Sequence, residues 1–145
     1  MDLISKVVND DASFDAFRSL LKSSNLPYLD LNFKDHLLIG YYNENELVGT
    51  GGLEIYGQYA LLRSLAVKID VRDLSLGSFI TKDLISQARK KSLKAIYLLT
   101  ETAQGFFAIK GFKDTARDKV PDNVRMSSEF SNVCPASAAC MVLEL

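Results

Sequence analysis

A near-continuous apolar run, Leu61-Leu62-Arg63-Ser64-Leu65-Ala66-Val67, leads into a short polar loop and then a helix. This arrangement restricts the fold more than any other stretch of the chain. A run with apolar residues on both alternating faces is the pattern of a strand buried on both sides of a sheet. The loop carries Arg72, Ser75 and Gly77, and helical periodicity follows in Leu76, Ile80, Leu84 and Ala88, with Arg89, Lys90 and Lys91 closing the helix. The first N–H groups of such a helix lack intrahelical acceptors, and the dipole adds positive potential there, so the loop is a candidate anion site. Ala95-Ile96-Tyr97-Leu98-Leu99 reads as a second buried strand. Strand, helix and strand joined by one crossover place the two strands parallel and adjacent.

The rest of the chain supplies antiparallel partners. Leu3 to Val8 is a first strand, followed by a helix capped by Asp10 or Asp11 and showing an apolar face of Phe14, Phe17, Leu20 and Leu21. Leu26 to Asp35 is irregular, with Tyr28, Leu29 and Leu31 expected to pack. His36 to Tyr42 and Leu47 to Tyr56 form a hairpin around Asn43-Glu44-Asn45-Glu46, and a turn at Gly57-Gln58 leads into the fourth strand, Tyr59 to Lys68. Gly49, Gly51 and Gly52 mark a bulge or a close backbone approach in the third strand. A short helix holds Ala103, Phe106, Phe107 and Ile109, with Thr100 or Thr102 as cap and Gly111 past its end. Phe112 begins a sixth strand, Pro121 to Phe130 holds one or two helical turns, and Ala138 to Leu145 is the last strand. Phe14, Phe17, Phe79 and Phe106 are core by spacing. The expected fold is α/β (α+β): a single mixed, mostly antiparallel sheet with one parallel pair, strands four and five, and helices on both faces, in one domain spanning 1–145.

Composition excludes several function classes. Lys and Arg number 17 against 18 Asp and Glu, so the basic excess of a nucleic-acid-binding module is missing. No apolar run reaches membrane-span length, and the opening residues lack a signal-peptide pattern, so a cytoplasmic protein is expected. Cys134 and Cys140 have no zinc-site spacing with the lone His36, which predicts no metal and two free thiols.

Two motifs in order resemble the GNAT superfamily of acyl-CoA N-acyltransferases. The family's loop signature, Arg/Gln-x-x-Gly-x-Gly/Ala after a Leu-x-Val strand, is matched by Leu65-Ala66-Val67 and by Arg72-Asp73-Leu74-Ser75-Leu76-Gly77 except at Ser75. Its later signature, Ala-x-x-Phe-Tyr-x-x-x-Gly-Phe, appears as Ala103 to Phe112 with Phe107 in place of Tyr. Gly51-Gly52-Leu53-Glu54, Leu61 to Val67, Tyr97 to Thr100 and Cys134 to Ala138 are also similar to the arsenic-resistance-associated N-acetyltransferase branch. The resemblance implies acetyl-CoA as co-substrate and acetyl transfer by direct attack of a small-molecule, amine or amino-acid-like substrate. Charge balance and hydropathy, as above, argue against a nucleic-acid or membrane partner, and a homodimer is a state the family often adopts. Pantetheine would bond along Leu65, Ala66 and Val67, with the Leu65 N–H as oxyanion donor. The pyrophosphate would lie on Arg72, Asp73, Leu74, Ser75, Leu76, Gly77 and Ser78, with Phe107 also beside the cofactor. A non-catalytic acyl-CoA-binding or sensing domain is the alternative, motivated by Ser75 and Phe107. Protein acetylation would call for an acidic patch that the sequence lacks.

Several residues keep two readings at this stage. Glu54, inside an apolar strand, is either the base or ammonium anchor, or an edge residue in solvent. Arg63 either pairs with Glu54 or binds a substrate carboxylate. Ser64 either bonds substrate or closes a bulge, and Arg125 is either a second carboxylate contact or a surface residue. Cys134 has no neighbouring His to make it a nucleophile, and His36 reads as a surface or packing residue. Ser75 costs about 1 kcal/mol if its backbone must take positive φ, and is an ordinary cap or phosphate donor if not.

Overall fold

A computed structural model describes residues 2–130 and 137–145. Cys134 and most of the tail motif around it therefore lie outside the described residues. The elements are β1 (Leu3–Val7), α1 (Asp11–Ser23), β2 (His36–Asn43), β3 (Glu46–Tyr56), β4 (Tyr59–Val67), a 3-10 helix (Ile69–Leu74), α2 (Leu76–Lys90), β5 (Ala95–Thr100), α3 (Gln104–Ile109), β6 (Lys113–Asp114), a 3-10 turn (Arg117–Lys119), α4 (Asp122–Arg125) and β7 (Ala139–Glu144). The strands hydrogen-bond in the order β1-β2-β3-β4-β5-β7-β6. The β4 and β5 pair is parallel, joining Tyr59, Ala60 and Leu61 to Ala95, Ile96 and Tyr97. Antiparallel pairing joins β1 to β2, β2 to β3, β5 to β7 and β6 to β7, so the sheet is the mixed one the crossover predicts.

The chain divides into two compact units, Met1–Glu54 with Leu62–Gln87, and Ile55–Leu61 with Ala88–Leu145. In the first, Asp10 caps α1 by accepting the Ser13 N–H at 2.8 Å, and the helix buries Phe14, Phe17 and Leu21 against Leu38, Leu31 and Ala66. Leu38 sits opposite Gly52 in the hairpin, so α1 covers the sheet face that carries Gly52 and Glu54. The neighbouring positions take α2 on the other face. A Cβ at Gly49 would lie 2.6 Å from Ile80 Cδ1, and one at Gly51 would lie 2.8 Å from Leu84 Cδ1. These two glycines let the helix press onto the strand, which is the close approach expected of them. The bulge is present as well: the β2–β3 register shifts between Tyr41 and Tyr42.

Tyr41 is fully buried, and its hydroxyl donates to Asp83 Oδ2 at 2.6 Å. Burial, then the bond to Asp83, pushes its phenol well above the ordinary tyrosine range. Tyr41→Phe is expected to cost about 1.5–3 kcal/mol by urea unfolding, as for a hydrogen bond to a charged acceptor. A raised folded pKa gives a contribution that is complete below the unfolded value near 10 and is lost as pH rises beyond it. Wild-type stability should therefore fall more steeply above about pH 10 than that of the variant.

In the second unit, Leu61, Val120, Val124 and Cys140 form a core lined by Tyr56, Tyr59 and Tyr97. Burial raises the Cys140 thiol above its usual range, so it is an inert packing group rather than a nucleophile. Gly111 follows α3 at φ 101°, a conformation that favours glycine. Thr100 Oγ1 accepts the Ala103 N–H at 3.0 Å at the start of that helix.

Five expectations need correction. Leu29 is 88% exposed, because the segment before β2 buries Leu31 and half-buries Tyr28 instead. Phe79 is 48% exposed, meeting Tyr41 edge-on from the rim of α2, and Phe106 is only half-buried. The sixth strand is two residues long and starts at Lys113. The loop before α2 is a 3-10 helix, whose tighter period the apolar pattern of Ile69, Val71 and Leu74 did not announce.

Candidate active site

The site residues of the first unit descend from a kink in β4. Ser64 adopts φ 62°, the left-handed region, in the middle of the strand. Beyond the kink the backbone alternates: the Lys68 N–H donates to Val48 O at 2.8 Å, and the Ala66 carbonyl lies against Gly49. Ala66 and Lys68 thus address β3, and the N–H and C=O groups of Leu65 and Val67 point away from it. Parallel pairing ends at Leu61, six residues before the strand does. The Val67 carbonyl accepts from Arg72 Nε at 3.0 Å, which folds this exposed arginine back onto the strand end.

The 3-10 helix ends in Ser75 at φ 61°, ψ 24°. Right-handed residues followed by a left-handed one turn successive N–H groups into a concavity suited to an anion. The Ser75 carbonyl accepts the Phe79 N–H, so α2 starts directly on this turn, and no acidic residue occupies its first turn. Leu76 is buried, which anchors the turn, while Gly77 and Ser78 are partly open. The positive φ settles which reading of Ser75 applies: it pays the left-handed cost. Ser75→Gly is expected to raise stability by about 0.5–1 kcal/mol in a thermal or urea melt.

A buried charge cluster lies on the α1 side of β3 and β4. Arg63 Nη1 donates to Glu54 Oε2 at 2.8 Å and to Asp30 Oδ2 at 2.5 Å, and its Nη2 donates to Asp30 Oδ1 at 2.8 Å. Arg63 and Glu54 side chains are 1% and 2% exposed. His36 Nε2 stands 3.9 Å from Glu54 Oε1. The Asn32 N–H donates to His36 Nδ1 at 3.3 Å, which assigns the ring hydrogen to Nε2 when the imidazole is neutral.

Glu54 is therefore a buried, paired carboxylate rather than a solvent-facing edge residue. Arg63 is committed to two carboxylates of the chain. Asp30 and His36 were missed as site residues. The register that sets His36 opposite Glu54 depends on a one-residue shift in the hairpin, and Asp30 comes from an irregular segment, so neither carried a signal in the sequence. Arg125 is an exposed residue of α4 paired with Asp122 in its own turn. Phe107 is buried in α3, with ring contacts to Phe106 and Phe112 at 5.1 Å and 5.6 Å. No helix among the described residues is long and apolar enough to cross a membrane.

Known proteins share this architecture. YyaT, an uncharacterized protein of Bacillus subtilis (strain 168), is 31% identical over 100 residues, 66% of each chain. N-acetylglutamate synthase from Neisseria gonorrhoeae, solved with coenzyme A and N-acetyl-glutamate, matches with TM-score 0.80 at 17% identity over all of this chain and 35% of its own. A GNAT-family acetyltransferase from Staphylococcus aureus Mu50 matches with TM-score 0.77 at 16% identity over 99% of both chains. The chain thus spans just under two thirds of YyaT and about a third of the Neisseria enzyme. The model of the acetyltransferase (GNAT) family matches residues 8–112, and the chain belongs to that family of acyltransferases.

Proposed function

We propose that residues 1–145 act as a single acetyltransferase domain that moves an acetyl group from acetyl-CoA to the amine of a small molecule, in the cytoplasm. The observation that carries this is the run from the Ser64 kink through outward-facing Leu65 and Val67 to the left-handed turn at Ser75. It supplies strand-edge groups and an anion concavity in the order that a thioester, a pantetheine arm and a pyrophosphate require. Leu65 and Val67 hold the arm. The amides from Leu74 to Ser78 hold the pyrophosphate, with Arg72 released from Val67 to add its charge. The Leu65 N–H faces the thioester oxygen. When bound, acetyl-CoA supplies an activated acyl group on a thiol of pKa near 8.5, which can depart as thiolate without a proton donor at Phe107.

The amine arrives as an ammonium and has to lose a proton. Glu54 takes it through a water. Arg63, Asp30 and Glu54 together carry one net negative charge, which favours an approaching cation over a carboxylate. Arg63 accordingly positions Glu54 instead of gripping substrate, and Ser64 shapes the strand. The likeness to the arsenic-resistance-associated branch supports a small amine, and the N-acetyl-glutamate bound by the Neisseria enzyme supports an amino-acid-like one.

The test is a thermal-shift titration with coenzyme A followed by thiol release from acetyl-CoA over an amine panel. A ligand at a hundredfold excess over Kd stabilises by about 2.7 kcal/mol, a shift of several degrees in this size range. Binding with turnover supports the transferase, binding without turnover for any amine supports the sensing domain that Phe107 motivates, and no shift sinks both.

A further inference from the structure

We propose that Thr50 is a positioning residue for acyl transfer, acting through the Ser64–Leu65 peptide; the inference rests on the reading of Leu65 N–H as the oxyanion donor. Thr50 is fully buried in β3, and its hydroxyl donates to the Ser64 carbonyl at 2.8 Å. A trans peptide is planar, with its N–H opposed to its C=O. Fixing the Ser64 oxygen therefore fixes the direction of the Leu65 N–H. The fixed residue is also the one that needs fixing. Ser64 holds φ 62°, which a residue with a Cβ resists, and its own hydroxyl is buried with no hydrogen-bond partner among the described residues. Its side chain thus does nothing to stabilise the kink, and the bond from Thr50 does.

Two consequences follow for the site. The branched Thr50 side chain has a restricted χ1, so the hydroxyl is held on its target by the strand itself. An acceptor bond at the carbonyl oxygen also polarises the amide, strengthening the attached N–H as a donor by about 10–30%. Thr50 therefore aims the donor and sharpens it without touching the substrate.

Thr50→Val removes the hydroxyl at nearly constant volume, and Thr50→Ser keeps it. In the coenzyme-free protein, the Ser64 carbonyl 13C resonance should move upfield in Thr50→Val, and the Leu65 amide resonance should move with it. Both should stay near wild type in Thr50→Ser. In turnover, Thr50→Val should lose kcat by roughly tenfold, less than the 10²–10³ for deleting an oxyanion donor, with KM for acetyl-CoA within about twofold. Thr50→Ser should recover most of the rate. If Thr50→Val does not fold, Thr50→Ala is read in its place. Unmoved resonances, or a wild-type kcat in Thr50→Val, would overturn the proposal. Failure of the wild-type protein to bind coenzyme A would instead sink the acyl-transfer reading, while the two resonances still decide whether Thr50 orients the peptide.

Discussion

Arg63→Met is expected to destabilise the protein by about 3–5 kcal/mol, the cost of leaving buried carboxylates without their cation. The guanidinium serves Glu54 and both oxygens of Asp30. Arg63 and Glu54 side chains are almost wholly withdrawn from water, at 1% and 2% exposure, and Asp30 keeps 16%. Methionine fills most of the volume, so the loss is of charge pairing more than packing. In a chain of this length the change should lower Tm by roughly 10 °C or more. Buried ion pairs are costly to break but often cheap to replace whole. Arg63→Met combined with Glu54→Gln and Asp30→Asn should therefore recover much of the lost stability, and a non-additive cycle is the expected signature. A single Arg63→Met variant that melts within a degree or two of wild type would show that water screens the cluster and that it orders nothing.

The parts of this site that could be read in the sequence were those carried by local pattern. Leu61 to Val67 looked like a buried strand, the spacing from Leu76 to Ala88 like a helix, and the loop between them like an anion turn. Each depends on neighbours in the chain. The pairing of Glu54 depends instead on the β2–β3 register, and that register is shifted. Asn43 opposes Glu46 and Tyr42 opposes Leu47, but Tyr41 opposes Gly49. An unshifted hairpin would have set His36 against Leu53; the extra residue sets it against Glu54. A one-residue bulge thus decides which side chain shares a face with the candidate base, and no local pattern announces it beyond a run of glycines. Asp30 comes from an irregular segment with no period to extrapolate. The left-handed backbone at Ser64 was equally hidden, because serine is a residue that sequence alone does not mark for positive φ, whereas at Ser75 the glycine of the family's loop signature raised it. Thr50 was missed because a threonine inside a strand is first of all a good strand former.

Glu54→Gln separates the structural and chemical roles of the same side chain. Glutamine keeps an oxygen for Arg63 Nη1 and removes one of the two negative charges that face the guanidinium. Arg63 then retains Asp30 as a balanced partner, so the melting temperature should change far less than in Arg63→Met. A base is lost all the same. If Glu54 removes the ammonium proton, kcat should fall by about 10²–10⁴, the usual worth of a positioned base, with KM for acetyl-CoA little changed. His36 cannot take over, since its Nδ1 accepts the Asn32 N–H and the hydrogen on Nε2 faces Glu54, 3.9 Å away. Steady-state kinetics on both proteins give the answer. A variant within about threefold of wild-type kcat, far short of the loss of a positioned base, would reduce Glu54 to a partner of Arg63 and assign proton removal to solvent.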